Sequence, residues 1–216
     1  MWKIIVFGWL RLGLGVLAAV ALGFQAHRAA GYGALGNYFS YFTILSNAAG
    51  SVVLLLGGAA VLRGRPSPVP DAVRGAVTVY LAITGAVYQL LLAHLPGQDV
   101  IPWVNTVTHQ VMPLAAVAYW LADPPRTRTG LRTAAGWLAF PLAYLGYSLL
   151  RGPLVDWYPY PFVDPREPGG YGHVAGQCAG VTAGFLLAVA LIAWLGNVRG
   201  AQVRRRLTDG QPLSKI

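Results

Sequence analysis

Two stretches of the chain combine hydroxyls, amides and an imidazole at helical spacing. In Trp103-Val104-Asn105-Thr106-Val107-Thr108-His109-Gln110-Val111-Met112-Pro113, that spacing puts Asn105, Thr108, His109 and Met112 on one face. An ionisable side chain on the polar stripe of a membrane helix is costly, and the usual reason to keep one is function. Pro113 has no N–H, so the carbonyl of His109, four residues earlier, loses its helical partner. A kink and a free acceptor therefore fall at the histidine. The same pattern also suits a packed histidine satisfied by a neighbouring helix, with Pro113 as an ordinary kink. In the second stretch, Ser40, Thr43, Asn47 and Ser51 recur at three- and four-residue intervals, with Ser46 and Gly50 alongside. This is a polar stripe on one helix face. Small residues and hydroxyls are also what membrane helices use to pack closely.

Depth links the two stretches. Thr43 follows Tyr38, where its segment enters, and His109 follows Trp103 in the same way. At a rise of 1.5 Å per residue both lie roughly 7–9 Å inside one boundary. An alcohol and an imidazole at matched depth are the parts of an activated nucleophile, the imidazole taking the hydroxyl proton and returning it to a leaving group. Asn47 and Asn105, one turn from each, are placed to orient the imidazole or donate to an oxyanion. Ser46, Tyr147 and Arg151 complete the candidate set as supporting or substrate-binding groups. Arg151 and Arg28 lie where positive charge is scarce, and a fatty carboxylate could pair with either. Salt bridges to Asp156, Asp164 or Glu167 are the structural reading of the same arginines.

The elements that must position these groups follow from composition. The chain has 216 residues, 56% hydrophobic and 11% charged, whereas soluble domains carry about 25% charged residues. Six apolar segments can be drawn: Ile4 to Phe24, Tyr38 to Leu62, Val73 to Leu95, Trp103 to Leu121, Leu131 to Leu150, and Tyr171 to Val198. Each is near the length a bilayer core demands. The expected fold is an all-α polytopic bundle of six transmembrane helices over residues 1–198, with a basic tail over 199–216. The first segment reads as an uncleaved anchor, because it is longer than a signal sequence's apolar run and is interrupted by Arg11. Arg11 is expected to snorkel to the near interface. Gly172, Gly176, Gly180 and Gly184 predict a close-packed seam on the last helix.

Of the 16 basic residues, only Arg28, Arg151 and Arg166 fall outside the side that also holds both termini, Arg11 being intramembrane. The positive-inside rule puts that side, and both termini, in the cytoplasm. The net charge of +9 therefore points to anionic lipid headgroups at Arg204-Arg205-Arg206, with no nucleic-acid site. The chain beyond Leu207 is polar and expected to be disordered. The single cysteine, Cys178, excludes an intrachain disulfide and a cysteine-based metal cluster. The external connection from Gly152 to Gly170 interleaves Trp157, Tyr158, Tyr160 and Phe162 with prolines. It reads either as an interfacial belt or as a lid over a site between helices.

The chain resembles the androgen-induced six-helix membrane proteins and their bacterial relatives. Tyr41-Phe42-Thr43-Ile44 resembles the family segment that carries a threonine nucleophile. Trp103, Asn105, His109 and Pro113 keep the spacing of the segment that carries a histidine. Trp157 with Tyr160-Pro161-Phe162 resembles the aromatic-proline element before the last helix. The Pro-rich second loop and the arginine-rich tail stand outside the resemblance. Characterised members hydrolyse fatty acid esters of hydroxy fatty acids. The resemblance therefore implies a bacterial plasma-membrane protein, a membrane lipid ester as substrate, Thr43 as nucleophile, His109 as base, and no cofactor. Two alternatives differ in chemistry. One is a zinc-dependent hydrolase using His94, His109 and His173 with an open water position. The other is a non-catalytic lipid-binding or transport protein in which the stripes only pack helices.

Overall fold

The structure, a computed structural model, describes residues 2–95 and 101–208. It is built of helices, with no strand among the described residues. Helix α1 (Trp2–Gly31) is followed by the short α2 (Leu35–Tyr38), then α3 (Phe42–Leu62) and α4 (Asp71–Val87), which ends in a π-helical turn, Tyr88–Leu92. Helix α5 (Pro102–Thr106), a second π-helical turn (Val107–Val111) and α6 (Met112–Ala122) follow one another directly. Helices α7 (Leu131–Gly136) and α8 (Ala139–Val155) lead through a 3-10 turn, Pro161–Val163, to α9 (Gly170–Thr208).

Five helical stretches are long and apolar enough to cross a membrane: Ile5–Gly31, Phe42–Leu62, Asp71–Leu92, Leu131–Val155 and Gly170–Arg206. The sixth expected segment forms α5, the π-helical turn and α6. It is absent from those five because Asn105, Thr106, Thr108, His109 and Gln110 dilute its apolar character. Much of the exterior is apolar: Trp9, Leu114, Leu150, Leu187 and Trp194 are all at least 60% exposed. Large exposed apolar areas are normal for a surface that meets acyl chains and unusual for one that meets water.

The core is built around α4, which packs on α3, α6 and α9. Val79, Leu81, Met112 and Trp120 are almost fully buried there. The indole of Trp120 donates to the Ile192 carbonyl at 2.8 Å, tying α6 to α9, and that of Trp137 donates to the Ala72 carbonyl at 2.8 Å. Helices α1 and α3 pack through small residues; a Cβ on Gly58 would sit 2.9 Å from the Gly8 carbonyl oxygen. Ser51 donates to the Gly15 carbonyl at 2.7 Å across the same contact.

Arg11 departs from its expected snorkelling. It is 4% exposed and pairs with Asp123 at 2.7 Å, while its guanidinium lies over the rings of Phe7 and Tyr119. Arg74 bonds both Asp123 and Asp71, whose second oxygen accepts the Arg126 N–H. The charges of α1, α4 and the connection after α6 are thus joined at one end of the bundle. The glycine seam also departs from expectation. A Cβ on Gly172, Gly176 or Gly180 would meet nothing within 4 Å, and one on Gly184 would meet Ile83 only at ordinary contact, 3.8 Å. This part of α9 faces the bundle with Val174, Cys178, Val181 and Phe185 instead. The basic run Arg204-Arg205-Arg206 continues α9 as helix, and residues 209–216 of the expected tail lie outside the described residues.

Candidate active site

Thr43 sits in the first turn of α3, behind Tyr41, which is extended at φ −81° and ψ 131° and contributes no side-chain cap. The first N–H groups of a helix have no partner within it. Here tyrosines from distant elements supply them. The Phe42 N–H donates to the Tyr144 hydroxyl at 3.1 Å, and the Thr43 N–H donates to the Tyr160 hydroxyl at 3.3 Å. The positive end of the α3 dipole therefore lies at Thr43, where it favours negative charge.

The Thr43 Oγ1 lies 3.3 Å from His109 Nε2 and 3.4 Å from the Tyr160 hydroxyl. The other ring nitrogen, His109 Nδ1, is 3.2 Å from the Asn105 carbonyl oxygen and 3.1 Å from Thr108 Oγ1. A carbonyl can only accept, so Nδ1 carries the hydrogen in the neutral ring. Nε2 is then the acceptor, and the Thr43 hydroxyl donates to it. Thr108 is committed as a donor to the Val104 carbonyl at 2.9 Å, which leaves its lone pairs toward Nδ1–H. Tyr88 stacks on the imidazole with centroids 4.0 Å apart and planes 26° apart. Its hydroxyl accepts from Asn105 Nδ2 at 2.6 Å. The imidazole is held on one edge and one face, with its free nitrogen on the alcohol.

Local sequence explains this placement. Pro113 leaves the His109 carbonyl without its ordinary helical donor, and the segment just before it widens into a π-helical turn, a feature common at functional sites. Gly85 on α4 lets that distortion be packed. A Cβ there would lie 3.0 Å from Pro113 and 3.1 Å from the His109 carbonyl oxygen.

The remaining candidates divide. Asn47, fully buried, donates to the carbonyls of Thr43 at 2.9 Å and Thr108 at 3.1 Å, so its amide ties α3 to the histidine segment. Asn105 orients the imidazole through its backbone carbonyl, while its side chain holds Tyr88. Ser46 donates to the Thr43 carbonyl at 3.1 Å and meets the Thr84 hydroxyl at 2.9 Å. Tyr147 bonds Ser40 at 2.7 Å and Arg151 donates to Asn37 at 2.8 Å, and neither lines the cavity that holds His109. The loop carboxylates Asp156 and Asp164 pair with Arg166, at 2.6 and 2.7 Å, rather than with Arg151. His94 is exposed and His173 half-buried. Among the described residues, histidine, cysteine, aspartate and glutamate form no group of three that could hold a metal ion, so the three histidines of the zinc alternative are not gathered.

A cavity of about 450 Å³ opens on Thr43 and His109, and Pro159, Tyr160 and Pro161 of the external connection form part of its wall. Tyr160 was legible as part of an aromatic-proline element but not as a partner of Thr43. Helical periodicity carries no information about which loop residue folds back onto a helix start. Tyr160 is 9% exposed, and burial pushes its phenol above its usual value, so it stays a neutral hydroxyl beside Thr43.

Comparison with known proteins brings no match: no family model fits the chain, and no curated protein or solved structure is significantly similar to it.

Proposed function

We propose that the chain is an integral membrane lipid hydrolase that cleaves a fatty acid ester, of the hydroxy fatty acid ester type, with Thr43 as nucleophile and His109 as base. The reading is supported above all by one geometry: an alcohol at a helix start, 3.3 Å from the unprotonated nitrogen of an imidazole whose other nitrogen is held by a carbonyl. The motif resemblance to the androgen-induced six-helix proteins and their bacterial relatives agrees with it. In this proposal α5, the π-helical turn and α6 make the sixth crossing of a bacterial plasma membrane. The basic side, with both termini, faces the cytoplasm, and Arg204-Arg205-Arg206 meets anionic headgroups.

In the first step Thr43 Oγ forms a bond to the ester carbonyl carbon and its proton passes to His109 Nε2. The carbonyl oxygen becomes an oxyanion next to the Tyr160 hydroxyl, which itself accepts from the Thr43 N–H. The bond from that carbon to the alcohol oxygen then breaks, and His109 returns the proton to the departing oxygen. Water adds to the threonyl ester with its proton going to His109. The bond to Thr43 Oγ breaks, the fatty acid leaves, and the proton goes back to Thr43.

The direct test is hydrolysis of branched fatty acid esters of hydroxy fatty acids by purified protein, with Thr43→Ala and His109→Ala alongside wild type. Each substitution should lower kcat by ~10³-fold or more. Equal activity in all three proteins would overturn the roles of Thr43 and His109, and no activity in any would leave a lipid-binding role for the same cavity.

A further inference from the structure

Thr43 is the boundary between two cavities of different chemistry. Besides the polar cavity with His109, a second of about 220 Å³ lies between α3, α4, α8 and α9. Thr43, Leu92 and Tyr160 belong to both walls, whereas His109 belongs only to the first. The second is walled chiefly by aliphatic and aromatic groups, among them Ile83, Leu145, Val181 and Phe185, and no charged residue lines it. Two of its hydroxyls are engaged in the protein: Thr84 donates to the Tyr80 carbonyl at 2.9 Å and Tyr144 to the Ser40 carbonyl at 2.8 Å. Such a wall offers hydrocarbon contact and few hydrogen bonds.

We infer that the second cavity is the acyl-chain compartment and that the ester binds in one direction only. This rests on Thr43 and His109 acting as proposed above. An ester held with its carbonyl carbon at Thr43 extends one arm on each side of it. The alcohol oxygen must collect its proton from His109, so the alcohol arm lies in the cavity that contains His109. The acyl arm has the other cavity left to it. The preferred substrate therefore joins an uncharged acyl chain to an alcohol that tolerates polar surroundings. Side chains reaching in from mid-α8 and the first half of α9 set the acyl length, while the alcohol is selected by the external connection.

Leu145 and Val181, both half-buried in that wall, give the test. Acetyl, octanoyl and palmitoyl esters of one alcohol are compared in wild type, Leu145→Trp and Val181→Trp. Filling the compartment should leave acetyl ester hydrolysis within about twofold of wild type and lower kcat/KM for the palmitoyl ester by at least about tenfold. A loss independent of acyl length, or one that follows alcohol size, overturns the assignment. Cys178, half-buried and lining the same wall, gives a readout that needs no turnover. In Thr43→Ala protein, methyl palmitate should slow Cys178 alkylation by N-ethylmaleimide severalfold and methyl acetate should not. Protection without hydrolysis by wild type would uphold the compartment and overturn the threonine mechanism. Hydrolysis by wild type without protection would do the reverse.

Discussion

At the scale of single residues, chemistry is decided by which atom faces which. The proposed role of His109 as base rests on Asn105, which offers it a carbonyl and so fixes the ring hydrogen on Nδ1, away from Thr43. Tyr160 is the group whose replacement separates positioning from chemistry. Tyr160→Phe keeps the ring that stacks on Phe162 and removes only the hydroxyl near Thr43. Removing a donor to a developing oxyanion lowers kcat by about 10²-fold. The expected result is such a fall in esterase kcat with little change in KM. Because burial raises the Tyr160 phenol above the usual range, it remains protonated through neutral pH. The pH profiles of wild type and Tyr160→Phe should then differ in height and share their shape through neutral pH; an alkaline limb near neutrality that vanished with the hydroxyl would show that Tyr160 itself titrates there. Thr43 and His109 were both legible in the sequence, as polar residues at equal depth in apolar segments. Tyr160 was legible only as part of the aromatic-proline element, and its contact with Thr43 and the stacking of Tyr88 were not, since these contacts join elements that no periodicity relates.

At the scale of elements, the site depends on a helix that does not run straight. Pro113 and the π-helical turn before it were half legible: the missing N–H could be read, but the widened turn and its packing partner could not. Gly85 is that partner, and Gly85→Ala tests the arrangement. Its new Cβ would press on Pro113 and the His109 carbonyl, and a displacement near 1 Å at a reacting group can cost ~10²-fold in rate. The expectation is a large loss of kcat with a change of only about 1 kcal/mol in stability, measured by activity and thermal unfolding of the same sample. Asn47 works across elements too, since its amide bridges the Thr43 and Thr108 carbonyls. Asn47→Leu removes one donor from each carbonyl, the Thr43 carbonyl keeping that of Ser46, and should destabilise the protein by roughly 1–3 kcal/mol. Its polar stripe reads the same way in the sequence whether a hydroxyl packs or reacts. In the structure Ser51 bonds α1, whereas Thr43 lies beside the imidazole.

At the scale of the whole molecule, one end carries the polar cavity and the other an ionic clasp. Arg11, Arg74, Asp71 and Asp123 join α1, α4 and the connection after α6. The sequence could not assign Arg11, because its partner lies 112 residues away. Arg11→Met leaves the half-exposed Asp123 with Arg74 still bound, so the cost should fall near the lower end of that for broken buried pairs, about 3 kcal/mol. Thermal unfolding should detect that loss, while the specific activity of the folded fraction stays at the wild-type value. Five of the apolar segments, by contrast, were readable as membrane-length helices, because hydrocarbon leaves a helix little freedom over composition, while their ends differ from the expected bounds by up to eight residues, as at Gly31 and Arg206. The segment with His109 is the exception, its apolar character diluted where the polar residues gather.

The account stands or falls on Thr43 becoming a covalent ester or its phosphonate equivalent only when His109 is there to take its proton. Purified wild type, Thr43→Ala and His109→Ala are treated with an alkyl fluorophosphonate, and the modified residue is located by peptide mass mapping. The account predicts a single adduct on Thr43, absent from Thr43→Ala and formed at least ~10²-fold more slowly in His109→Ala. An adduct on another residue, or labelling of Thr43 at the same rate without the imidazole, would contradict it.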